Sequence, residues 1–196
     1  FSFDLPYVYV NGLKSPIYID NRLLISYPQE REYVVNGLVE LIKSKSWLKD
    51  IDYISSSLSF ASPFGTLVAE ELGLPLILVR DDHKTHGKQN KMEGIISPKK
   101  NVLIVEEHVS TAASLLNNVD TLRANGDIVK YAVAITDTSL DIAKRGLRKN
   151  KIELSVLVKG NSIIKEAIKR GLIKGRQKDE IIEWIKDPVK WGTVRG

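Results

Sequence analysis

Residues 102–105 (VLIV) form an unbroken apolar run that ends on Glu106 and Glu107, before a turn of small and hydroxyl residues at 110–114. A strand with one face in water alternates apolar and polar side chains, so this run predicts a strand covered on both faces. Further strands are predicted at 52–57, 74–80, 128–137 and 152–158. Helical spacing lies between and around them, over 28–44, 63–73, 111–125, 140–150, and near 161–171 and 177–186. In the first of these helices Val34, Leu38, Leu41 and Ile42 share a face. The alternation predicts an α/β fold with a mostly parallel central sheet flanked by helices. Segment 7–20 alternates around Asn11 and Gly12 and reads as an N-terminal hairpin or hood. Ligands of such sheets sit at the carboxyl ends of the strands. That rule gathers 55–63, 80–94, 106–114 and 137–139 around one crevice.

With 196 residues and 43% hydrophobic content, one domain with a substantial core is expected. It divides into a hood (1–27), a core (28–160) and C-terminal helices (161–196). No apolar run approaches the ~18 residues of a membrane span, no signal-peptide pattern opens the chain, and the absence of cysteine fits a cytoplasmic protein. The first residue is Phe1 and not Met, as expected if a further N-terminal segment precedes it. The net charge of +5 is unevenly spread: between Lys144 and Lys178 stand twelve Lys/Arg against Glu153 and Glu166. Such a stretch fits a nucleic-acid face, although solvated helices are the favoured expectation.

Chemistry concentrates at the predicted crevice. Glu106 and Glu107, closing a buried strand, can orient ribose hydroxyls or hold the hydration shell of Mg²⁺; the alternative is a favourable charge at the start of the next helix. Ser110, Thr111 and Ser114 add hydroxyls where helix N–H groups form an anion site. Arg80, Lys84 and His86 lie on or beside the polar segment 81–94, which is long for a connection and suits closure over a polyphosphate. The three histidines, His83, His86 and His108, show no metal-ligand spacing. No Ser-His-Asp arrangement, Walker-type loop or G-x-G-x-x-G is legible.

Taken together, these segments resemble the orotate phosphoribosyltransferases, type I enzymes of pyrimidine nucleotide synthesis. Residues 12–28 (GLKSPIYIDNRLLISYP) are similar to that family's N-terminal signature. Residues 71–80 (ELGLPLILVR), with Lys84 and His86–Gly87, resemble its strand and catalytic loop. Residues 101–126 resemble its phosphoribosyl pyrophosphate segment, and 181–191 its C-terminal helix. The resemblance implies the type I phosphoribosyltransferase fold with a flexible loop, and a homodimer in which one subunit's loop reaches the other's site. It also implies transfer of a phosphoribosyl group to orotate with Mg²⁺, which no protein side chain ligates directly. Lys84 and His86 would be catalytic, and Ile17 and Tyr18 would line the base pocket. Arg80, Glu106, Glu107, Ser110, Thr111, Ala112, Ala113 and Ser114 would bind the phosphorylated ligand.

The departures from that pattern matter equally. Where the family has a glycine and then a hydroxyl residue after the acidic pair, this chain has Ala112 and Ala113. The 55–63 turn, which grips pyrophosphate in the family, also lacks glycine, with Ser56 and Ala61 in its place. Val10 and Asp81 stand at two lysine positions, and Thr138 at the arginine that would meet the orotate carboxylate. A hydrogen bond to a charged group contributes about 1.5–3 kcal/mol, so the joint changes at Val10, Asp81, Ala112, Ala113 and Thr138 predict a weakened grip. The leading expectation is therefore a family member with a degenerate site, its transferase activity lost or altered, in a ligand-sensing or regulatory role. The alternatives are an active orotate phosphoribosyltransferase and a transferase for another base.

Overall fold

The computed structural model describes residues 1–9, 12–80, 91–138 and 140–193. The central sheet has six strands in the order β5-β4-β3-β6-β7-β8. These are β3 (Tyr53–Ser57), β4 (Leu76–Val79), β5 (Met92–Glu93), β6 (Asn101–Val109), β7 (Ile128–Asp137) and β8 (Glu153–Val158). All neighbours run parallel except the short edge pair β4–β5. The predicted run at 102–105 is the centre of β6, which is flanked on both sides by parallel strands and fully buried there.

Residues alternate between two cores, one on each side of the sheet. Leu103, Val105, Val133 and Ile135 pack with α1 (Pro28–Lys43) and α2 (Ser62–Leu72). Val102, Ile104, Ala132 and Ala134 pack with α3 (Ala113–Ala124), α4 (Asp141–Lys149), α5 (Gly160–Lys169), α6 (Arg176–Lys186) and α7 (Pro188–Thr193). In α1 the fully covered residues are Val35, Leu38, Val39 and Ile42, while Val34 and Leu41 flank that stripe. The apolar face is thus rotated from the predicted one. The helix α2 starts with Pro63 in its first turn and stops at Gly73, whose left-handed φ of 63° closes the end.

The predicted hairpin is shorter than its alternation suggested. β1 (Tyr7–Val8) and β2 (Lys14–Ser15) pair antiparallel over two residues each. What seats this hood is the far end of the chain. The indole Nε1 of Trp184 donates to the Lys14 carbonyl at 2.9 Å, and a Cβ added at Gly192 would sit 3.2 Å from that of Lys14. Among the described residues, no helix is long and apolar enough to cross a membrane.

One close approach ties the C-terminal helices to the sheet. The Gly160 N–H donates to Asp137 Oδ1 at 2.7 Å, and a Cβ there would lie 2.3 Å from the Asp137 carbonyl oxygen. Backbone cannot retreat as a flexible side chain can, so Gly160→Ala is expected to lower stability by about 1–3 kcal/mol. A urea midpoint equal to that of the unmodified chain would show that the contact is not required.

Candidate active site

The strand ends place the two glutamates on opposite sides of the sheet. Glu106 shares its side with Ser55 and Ser57, and its Oε1 accepts a 2.6 Å hydrogen bond from the buried Ser57 hydroxyl. Glu107 faces the hood. Burial raises its pKa, the Arg22 cation opposes that shift, and Asp20 adds to it. Its Oε2 is buried without a hydrogen-bond partner. Such a carboxylate oxygen costs free energy until a donor or cation meets it.

After β6 the chain must turn from a strand into α3 within three residues. Ala112 makes this turn at φ 67° and ψ 19°, the left-handed region that favours glycine. The left-handed turn is therefore present without a glycine. Ala112 is only 4% exposed and belongs to the core that includes Leu115 and Leu140. Its methyl is accommodated by packing, and the cost is backbone strain of about 1–2 kcal/mol. Among the described residues no side-chain hydrogen bond caps α3, so the N–H groups of its first turn have no partner within the helix. Ser110 and Thr111 are half-buried, while Ala113 and Ser114 are exposed at the mouth.

Thr138 is buried, donating from its hydroxyl to the Ser110 carbonyl at 3.3 Å and from its N–H to Val109 at 3.0 Å. It ties the β6 turn to the end of β7. Arg80 directly follows β4 and is paired with Glu93 (Nε to Oε1, 3.0 Å). Both side chains are a third or more exposed, and such pairs contribute little, so a phosphate could replace the carboxylate. Lys84, His86, Asp81 and Val10 lie outside the described residues. Tyr18 is exposed over the crevice, but Ile17 is 4% exposed and packed in the core. Residues 15–17 of the hood are all buried, so Ile17 belongs to the core while Tyr18 is exposed.

No local pattern announces the network that joins these parts. Asn21, in the short 3-10 helix Asn21–Ser26, donates from Nδ2 to the Glu107 carbonyl (2.8 Å) and to Thr136 Oγ1 (2.7 Å). Thr136 Oγ1 lies 2.7 Å from His108 Nδ1. The Thr136 hydroxyl, with one donor and two acceptor sites, bridges the Asn21 amide and the His108 ring. Beside it, Arg22 Nη2 donates to Asp20 Oδ2 at 2.7 Å, and its guanidinium carbon lies 5.5 Å from the Tyr18 ring centroid and 5.0 Å from that of Phe60. The Asp20 partner raises the Arg22 pKa, so this cation is permanent. Polar residues such as Asn21 and Thr136, 115 positions apart, carry no pattern that pairs them.

Among the described residues no cluster of three or more His, Asp or Glu could cage a metal. The acidic pair fits a divalent ion only where a ligand's own oxygens complete its coordination.

No protein-family model matches the chain. Among solved structures, the orotate phosphoribosyltransferase of Aeropyrum pernix superposes with a TM-score of 0.73 at 25% identity, over 86% of this chain and 92% of that one. The UMP synthase of Leishmania donovani gives 0.74 at 24% identity over 92% of this chain and 38% of that longer protein. The six-stranded sheet, the acidic strand end and the turn into α3 thus define a type I phosphoribosyltransferase fold. Relatives in sequence narrow the class. An orotate phosphoribosyltransferase of Coxiella burnetii is 36% identical over 95% of this chain and 88% of its own length. One from Listeria monocytogenes is 33% identical over the same shares. The chain belongs to the orotate phosphoribosyltransferase family.

Two predictions follow from the turn and the network. Ala112→Gly is expected to change stability by less than about 1 kcal/mol, because relief of strain is offset by the lost methyl and a looser unfolded chain. Ala112→Val, β-branched at positive φ, should cost about 2 kcal/mol or more by urea denaturation; equal costs for both would refute the strain. Separately, burial pushes the His108 pKa down from 6.5 to about 4, with Asp137 pulling the other way. As pH falls from 6.5 towards 4 the unfolded chain takes up the proton first, so stability drops across that window. His108→Gln should flatten this part of the stability–pH curve, and an unchanged slope would mean that the folded ring is not held neutral.

Proposed function

We propose that this chain is an active orotate phosphoribosyltransferase, joining orotate to phosphoribosyl pyrophosphate and releasing pyrophosphate, in pyrimidine nucleotide synthesis. The observation that carries the reading is the left-handed turn at Ala112. It keeps the open donors of α3 beside the acidic pair while its methyl stays in the core. The expectation of a degenerate site rested partly on the missing glycine at this position.

In this reading the first-turn N–H groups of α3, with Ser110, Thr111 and Ser114, hold the 5′-phosphate. Glu106 and Glu107 orient the ribose hydroxyls and stabilise positive charge developing on the sugar as the bond to pyrophosphate breaks. Arg80, Lys84 and His86 meet the negative charge left on the pyrophosphate. Mg²⁺ would neutralise phosphate oxygens and bind mainly through the substrate, with the glutamates reaching it or its water. Orotate would stack on Tyr18. With Thr138 buried, the described cation beside that ring is Arg22. Exposed Leu23, Tyr27 and Tyr33 supply an apolar surface for the second copy of a homodimer.

The test is formation of orotidine monophosphate by the purified chain with Mg²⁺. Turnover is expected, and Lys84→Ala should lower it by about 10²-fold or more. A second reading, ligand sensing without turnover, is favoured by the missing hydroxyl at Ala113. It would be supported, and the proposal overturned, by calorimetric binding of phosphoribosyl pyrophosphate without product. Ala113→Thr should tighten that binding about tenfold, by one hydrogen bond to a charged group.

A further inference from the structure

The face built on α4 has no part in the transferase site. Ala143 and Leu147, four residues apart, are buried against the sheet side of the helix. Lys144, Arg145, Arg148 and Lys149 form two rows, also spaced by four, and all are exposed. Among the described residues Lys144 pairs with Asp141 at 2.9 Å, and Arg145 and Arg148 act on the same carboxylate at longer range. Below the helix, Lys151 and Lys130 line a hollow of about 620 Å³ with Arg123, Asp127 and Glu153. Asp127 is already engaged, accepting from Lys100 N and Asn125 Nδ2. From Lys144 to Lys178 all twelve Lys/Arg are exposed. The remaining residues hold 17 Lys/Arg against 22 Asp/Glu. The molecule is therefore polarised: a cationic side on a body that is otherwise net acidic.

Cations in the last turn of a helix also steady its dipole. That accounts for Arg148 and Lys149 but not for Lys130, Lys144, Arg145 or Lys151. A polarised charge distribution of this kind steers and holds a polyanion. Residues 141–178 carry no Phe, Tyr or Trp, and Tyr131, which also lines the hollow, is half-buried and stacked on Trp47 at 4.5 Å; this indicates which kind. Binding of single strands relies on aromatic platforms for the bases; contact with a duplex needs only cations spaced along its phosphates. We propose that the α4 face binds the phosphate backbone of double-helical nucleic acid, without reading sequence. Nothing in this assignment rests on the transferase reading.

The test is fluorescence anisotropy of the full chain with a labelled duplex of about 24 base pairs, as DNA and as RNA, across a salt series. The duplex is expected to bind with a steep salt dependence, independent of its sequence. The triple variant R145Q/R148Q/K149Q should lower affinity about tenfold or more and reduce the log–log salt slope by about 2–3. A control removing three charges elsewhere, K43Q/K49Q/K190Q, should leave both nearly unchanged. Equal losses in the two variants would reduce the effect to net charge and overturn the site. So would a flat salt response of the unmodified chain, tighter binding to the single strand, or tighter binding to phosphatidylserine vesicles.

Discussion

The constraint on which the site depends is the passage from β6 into α3. A strand buried on both faces has to deliver the chain to a helix within a few residues, and only a left-handed residue turns it sharply enough. At Ala112 that conformation costs more than it would for glycine, and the surrounding core holds it. Leu115 behind the turn, and Thr138 tying Ser110 and Val109 to the end of β7, leave the segment little freedom to relax. Strain that persists because its surroundings over-determine it is common where geometry serves a ligand.

A second level of organisation connects the hood to this turn. Asn21 reaches from the N-terminal segment to the last turns of two strands, and Thr136 and His108 extend the chain of bonds. Buried networks of this kind specify one arrangement when every member is satisfied. Here the member left over is Glu107, whose unpartnered Oε2 sits next to the permanent cation Arg22. The hood, the acidic pair and the Tyr18–Arg22–Phe60 cluster are thus set relative to one another by polar contacts, on a frame set by apolar ones.

Much of this frame was legible in the sequence. The runs at 102–105 and 128–137 and the breaks at Gly73 and Gly126 placed strands and helix ends to within a few residues, since both-face burial and left-handed caps leave local signatures. Other features were not. The edge strand Met92–Glu93 is two residues long and has no period. The helix Pro188–Thr193 has too few residues for one. In the hood, alternation over 7–20 predicted long strands, but Pro16 and the buried passage of residues 15–17 cut them short. For the site, Glu106, Glu107 and the 110–114 turn stood out by composition. Ala112 stood out as an alanine where the family has glycine, but its left-handed φ and its place in the core depend on packing that a sequence does not spell out. Asn21, Thr136 and Ser57 were silent because their partners come from distant segments.

The seat of the hood has a consequence for the order in which the molecule can be made. Trp184, which holds the Lys14 strand, leaves the ribosome 170 positions after it. Chains emerge amino end first and domains assemble as they appear. The sheet can therefore close around β6 during synthesis, while the Lys14 strand waits for α6 and α7 before it docks. The nascent protein passes through a stage with an ordered sheet and an unroofed crevice, and only the emergence of α6 and α7 completes the roof.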